Sequence, residues 1–135
     1  MELSVSDIEI QPSEQQFNVF GEKLLECSCQ PMTGFYRDGL CRTQAHDVGS
    51  HTVCAQVTSE FLDYSLQQGN DLITPRPEHG FDGLKPGDRW CLCAARWLEA
   101  FSVGKAPMVV LEATNRVALD IVSLADLKKN ALDLV

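Results

Sequence analysis

The plainest pattern in the chain is the alternation from His51 to Thr58. Val53, Ala55 and Val57 fall on one side and Thr52, Cys54 and Gln56 on the other, which predicts a strand with one buried face. Thr58 then caps a helix from Ser59 to Gln68, with Glu60 in its first turn and Gly69 as its stop. A second pattern follows Pro86-Gly87. Trp90, Cys93, Ala94, Trp97, Leu98 and Phe101 recur at helical steps, while Arg89, Arg96, Glu99 and Ser102 fall outside their arc. With Asp88 as N-cap and Gly104 past the end, this predicts a core helix over about 89–103. Pro107 to Thr114 reads as a buried strand, Asn115-Arg116 as a turn, and Ala118 to Val122 as a second strand antiparallel to the first. Ser123-Leu124-Ala125-Asp126 is close to a capping box and opens a last helix from about Leu124 to Leu132.

The remainder is irregular. Residues 1–16 are polar and read as a tail, leaving 17–135 as a single globular domain in which Leu24, Leu25 and Cys27 suggest a short strand. Two stretches, 27–50 and 69–87, carry no sustained period and are punctuated by Gly and Pro. The first is rich in polar and sulfur groups, a common place for function; the second is of a length usually functional or disordered, and its Pro content favours a stiff, ordered wrap. The pattern as a whole predicts α+β: a small mixed or antiparallel sheet, about three helices and long irregular loops.

Composition excludes several classes. A length of 135 residues fits one domain with a real core. The net charge of −8 opposes sequence-independent nucleic-acid binding. No apolar run is long enough to span a membrane, and no basic-then-apolar leader opens the chain, so the expected compartment is the cytoplasm. There thiols stay reduced, and the six cysteines are expected to be free thiols or metal ligands. The phosphate-loop, dinucleotide, serine-hydrolase and zincin motifs are all missing, and no cofactor is expected.

Three chemistries survive. For metal, the candidates are Cys41, Cys54, Cys91 and Cys93, although Cys27-Ser28-Cys29 and Cys91-Leu92-Cys93 lack the usual zinc spacing. On a helix Cys91 and Cys93 diverge; on a strand they would share a face. For thiol catalysis, the candidates are Cys41, in a loop near His46 and His51, and Cys93, flanked on a helix by Arg89 and Arg96. The plainer account of Cys93 is a small buried hydrophobe beside surface charges. His51 and Cys54, three apart on a strand, point to opposite faces. For anion binding, Arg37, Arg42, Arg76 and Arg89 lie in or beside the irregular segments, with Asn70, Asp71, Glu78 and His79 as further polar groups. The plainer account pairs Arg37 with Asp38 and Arg89 with Asp88.

The runs Pro31 to Gly39, Asp47 to Ala55, Gly69 to Leu72 and Gly83 to Ala94 resemble the bacterial domain-of-unknown-function family numbered twenty-two thirty-seven. The resemblance covers about 17–132 and implies a small, single-domain, cytosolic protein, with no activity or cofactor to carry over. It also implies a site drawn from Arg37, Asp38, Cys41, Asp47, His51, Cys54, Asn70, Asp71, Arg76, Arg89, Trp90, Cys91 and Cys93. Where the family pattern has a cysteine pair after the Arg-Asp-Gly turn, this chain has Leu40-Cys41. Two functions follow. One is a small anionic ligand held where loops 27–50 and 69–88 meet; the other is an enzyme using a thiolate or a cysteine-bound metal.

Overall fold

The computed structural model describes residues 15–134. Its centre is a three-stranded antiparallel sheet of β1 (His51–Gln56), β2 (Arg89–Cys93) and β3 (Met108–Val109), in the order β2-β1-β3. Among the described residues three α-helices accompany it: α1 (Ser59–Gln67), α2 (Ala94–Ser102) and α3 (Leu124–Lys129). This is the expected α+β fold.

The strand-then-helix expectation holds at β1–α1. Val53, Ala55 and Val57 are all buried, and the Thr58 hydroxyl accepts from the Phe61 amide at 3.0 Å. Ser123 caps α3 in the same way, accepting from the Asp126 amide at 3.1 Å. The main core joins this face of the sheet to the helices through Phe61, Leu92, Trp97, Val109 and Leu127. A smaller core of Cys27, Cys41, Cys54, Cys91 and Ala113 includes side chains from the other face of β1 and β2.

The predicted helix over 89–103 is two elements. Residues 89–93 form β2, and the helix begins only at Ala94. Pairing decides this. Cys54 lies opposite Cys91, Ala55 opposite Trp90 and Gln56 opposite Arg89, so Trp90 and Leu92 alternate into the core as a strand. The same residues fit helical steps, and the local pattern could not separate the two. Asp88 is not a helix cap; its carboxylate accepts from the Lys85 amide at 2.9 Å.

Other corrections lie near the C-terminus. The strand expected over Pro107 to Thr114 is only Met108–Val109, followed by a 3-10 turn at Leu111–Ala113. The strand expected over Ala118 to Val122 is a 3-10 helix, Arg116–Asp120. Asn115 starts it by accepting from the Val117 amide at 2.9 Å, while its own amide group binds Gln16 at 2.6 Å and the Cys41 carbonyl at 3.1 Å. That side chain ties three remote segments together, which propensity along the chain does not reveal. Leu24 to Cys27 bonds to turns and loops rather than a strand, with Leu25 donating to Glu112 and Cys27 to Gly39. Most of the predicted tail, residues 1–14, lies outside the described residues, but Gln16 is buried and donates to the Thr43 carbonyl at 2.9 Å.

The expectation of free thiols holds for Cys29 and Cys93 and fails for the other four. Cys27 is bonded to Cys54, and Cys41 to Cys91. Sequence separations of 27 and 50 leave no local spacing signal for either bridge. No helix among the described residues is long and apolar enough to cross a membrane.

Candidate functional site

Loops 27–50 and 69–88 meet along β2, one of the two edge strands of the sheet. Between them lies a cleft of about 490 Å³, lined by Gly34, Phe35 and Arg37 from the first loop and by Leu72, Arg76, His79 and Phe81 from the second. His51 at the start of β1 and Trp90 and Cys91 of β2 complete it.

Backbone geometry brings the first loop in. Gly34 has φ +103°, and a Cβ there would stand 2.3 Å from the Leu40 carbonyl oxygen, so no side chain fits. Arg37 is left-handed at φ 54°, a conformation that costs a non-glycine residue about 1–3 kcal/mol. Its guanidinium donates to the Gly34 carbonyl at 2.8 Å and stands over the Trp90 ring, 5.1 Å from the ring centre. The Thr33 hydroxyl next to this turn accepts from the Cys91 amide at 2.9 Å, which fastens the loop to the edge of β2.

The second loop is held differently. Asp71 accepts from the Ile73 and Thr74 amides at 2.9 and 3.0 Å. Bonding from Thr74, then the Ile73 amide and the charge of Arg76, holds the Asp71 carboxyl below the ordinary aspartate range. Its contribution to loop order is therefore complete above the unfolded-state value and is lost only as pH falls through the lower folded-state value. Gly83 lets the loop return at φ +81°, and Phe81 packs on Trp90 with ring centres 5.3 Å apart.

His51 enters the cleft on a fixed stalk. Its Nδ1 is 2.6 Å from an oxygen of buried Asp47, whose other oxygen accepts from the His51 amide and the Thr43 hydroxyl, each at 2.9 Å. A carboxylate bound at Nδ1 sets the ring so that Nε2 is the nitrogen left for chemistry.

Of the residues singled out in the sequence, the cleft brings together Arg37, His51, Arg76, His79, Trp90 and Cys91. Asp47 supports His51 from beneath. Asp71 shapes the second loop, and the Asn70 carbonyl accepts from the Ser65 hydroxyl at 2.7 Å to close α1. Asp38 pairs with Arg42 rather than Arg37. Arg89 is exposed and donates to Gln56 at 3.3 Å, away from the cleft lining. Arg89 and Arg96 do not flank Cys93 on a helix, because Arg89 and Cys93 lie on β2 while Arg96, on α2, donates to the Gln68 carbonyl at 3.1 Å. Cys41 is fully buried in its disulfide and offers no thiolate while that bond stands. Cys93 is half-buried, unbonded, and the register partner of His51 across β1 and β2. Cys29, at the surface, donates to Glu26, and that bond pushes its thiol up.

Sequence reasoning passed over the apolar walls, Gly34, Phe35, Leu72 and Phe81. The available signal was a few large apolar residues, Phe35 beside Tyr36, Leu72 beside Ile73, and Phe81, set in otherwise polar, aperiodic loops.

No curated protein matches the chain. A family model described as "Uncharacterized protein conserved in bacteria (DUF2237)" matches residues 17–131. That span takes in the whole sheet, both loops of the cleft and all six cysteines, and the chain belongs to this family of uncharacterised bacterial proteins.

Proposed function

We propose that the cleft binds a small anion that carries a flat apolar part. One observation carries the reading: Arg37 and Arg76 line the cleft from two different loops, and among the described residues no carboxylate is in ion-pair contact with either, Asp71 acting on Arg76 only at longer range. In a protein of net charge −8, two such arginines in one cleft favour a ligand carboxylate or phosphate. His51 and His79 add donors, and Trp90, Phe35 and Phe81 supply ring faces for the apolar part. Phenyl phosphate and inorganic phosphate are suitable calorimetric probes. Phenyl phosphate is expected to bind more tightly than inorganic phosphate, and Arg37→Ala and Arg76→Ala are each expected to weaken it about 10-fold or more. Equal affinity in both variants and wild type removes the reading.

A second reading, a thiol enzyme, rests on the pairing of Cys93 with His51. Cys93 would be the nucleophile, His51 the base that takes its proton, and Asp47 the group that orients His51. Alkylation by iodoacetamide is then expected to be faster at Cys93 than at Cys29, and slower at Cys93 after His51→Gln. A Cys93 rate indifferent to that substitution rejects the pairing.

A further inference from the structure

Four of the six cysteines occupy one buried cluster, of which only Cys91 also touches the cleft. Cys54 and Cys91 are direct partners across β1 and β2, yet they are not bonded to each other. Each is bonded instead to a loop cysteine, Cys27 or Cys41. The sulfurs of Cys27, Cys41 and Cys54 all lie within 4.8 Å of one another, while that of Cys91, bonded to Cys41, stands outside this group of three. Two isolated structural bridges would not need to be neighbours. We propose that Cys27, Cys41, Cys54 and Cys91, once reduced, form a four-thiolate site for one zinc ion, of which the two disulfides are the metal-free, oxidised form.

The spacing of the three sulfurs of Cys27, Cys41 and Cys54 suits a single ion. Zinc–sulfur bonds of about 2.3 Å in a tetrahedron place the sulfurs about 3.8 Å apart. A polynuclear iron–sulfur cluster spreads its cysteines further, because the cluster itself lies between them. The donors are all soft sulfur, and the surrounding apolar contacts are Ala113 and Val110, a set that selects zinc over magnesium or calcium.

Backbone hydrogen bonds also tie each of the four positions. The Cys54 amide donates to the Thr114 hydroxyl at 3.1 Å and the Cys91 amide to the Thr33 hydroxyl at 2.9 Å. The Cys27 amide donates to the Gly39 carbonyl at 2.7 Å, and the Cys41 carbonyl accepts from Asn115 at 3.1 Å. Opening the bridges leaves the sulfurs of Cys27, Cys41 and Cys54 together, and a side-chain rotation of Cys91, freed from Cys41, is needed to bring in the fourth.

The chemistry balances. Each disulfide takes two electrons and two protons from a dithiol, which becomes a disulfide in turn. The four thiols then release four protons as zinc binds, and zinc stays divalent throughout. A reducing compartment favours the metal-bound form.

The test uses the full chain, reduced with a phosphine without oxygen and titrated with cobalt and then zinc. One cobalt per chain is expected, with the visible spectrum of tetrahedral thiolate coordination, displaced by zinc. In the zinc form only two thiols, Cys29 and Cys93, are expected to react with an alkylating agent. A double variant, Cys29→Ser with Cys93→Ser, retains the spectrum, whereas Cys27→Ser loses it. Should the reduced chain unfold, return of the native circular dichroism on adding zinc supports the site, and failure to return refutes it. Reduced, folded protein that takes up no cobalt refutes it as well, as does cobalt binding that the Cys29/Cys93 double variant abolishes.

Discussion

Replacing Trp97 by alanine is expected to cost about 3–5 kcal/mol of stability, the largest loss from any single side chain in the main core. Trp97 is fully buried on α2 and stacks on Phe101, with ring centres 5.0 Å apart and planes 17° from parallel. Its indole N–H also donates to the Pro107 carbonyl at 3.0 Å, just before β3. One side chain thus joins helix, strand entry and core. Alanine removes the packing and leaves that carbonyl without its indole donor. Phenylalanine keeps much of the packing and loses the hydrogen bond, so a smaller cost of about 1–3 kcal/mol is expected. Urea unfolding checks both: the midpoint falls in that order while the denaturant slope stays constant. An alanine variant within about 1 kcal/mol of wild type contradicts this assignment of the core.

The second large effect concerns a bridge. Removing Cys27–Cys54 by alanine at both positions is expected to cost about 3.5 kcal/mol in oxidising buffer, from the loop entropy returned to the unfolded chain. The Cys41–Cys91 bridge, with a separation of 50 rather than 27, is expected to cost about 4 kcal/mol. Both residues at each bridge are replaced so that no partner thiol is left to exchange. In metal-free reductant, wild type and variants should converge to within about 1 kcal/mol, because the entropic constraint is gone from all of them. A variant as stable as wild type in oxidising buffer rules out that bridge. Zinc added to the reduced wild type, but not to the variants, is expected to recover stability by binding the folded state.

How much could be read from the chain differs from element to element. β1 and α1 were legible because the alternation of Val53, Ala55 and Val57 and the cap at Thr58 are local signals that tertiary contacts reinforce. β2 was not, because Trp90, Cys93, Ala94 and Trp97 satisfy helical spacing across a boundary that only pairing with β1 creates. The 3-10 helix at Arg116–Asp120 was missed because Asn115 answers to groups at Gln16 and Cys41, 99 and 74 residues away. In the cleft, the charged members Arg37 and Arg76 stood out as arginines in aperiodic loops, whereas Phe35, Leu72 and Phe81 looked like ordinary loop residues. The cysteine partners were illegible for the plainest reason. Each pair is brought together by the route of a loop, and no spacing between them encodes that route.

The two bridges overlap in sequence, one spanning 27–54 and the other 41–91. Every peptide bond between Cys27 and Cys91 is therefore enclosed by at least one covalent ring. The run from Ile73 to Gly80 is exposed throughout and is the natural place for a protease to cut. A cut there in the oxidised protein severs the main chain without separating the pieces. The cleft would be opened on one side while the sheet and both fragments stay tethered, and the nick would go unseen by size until the sulfur bonds were opened.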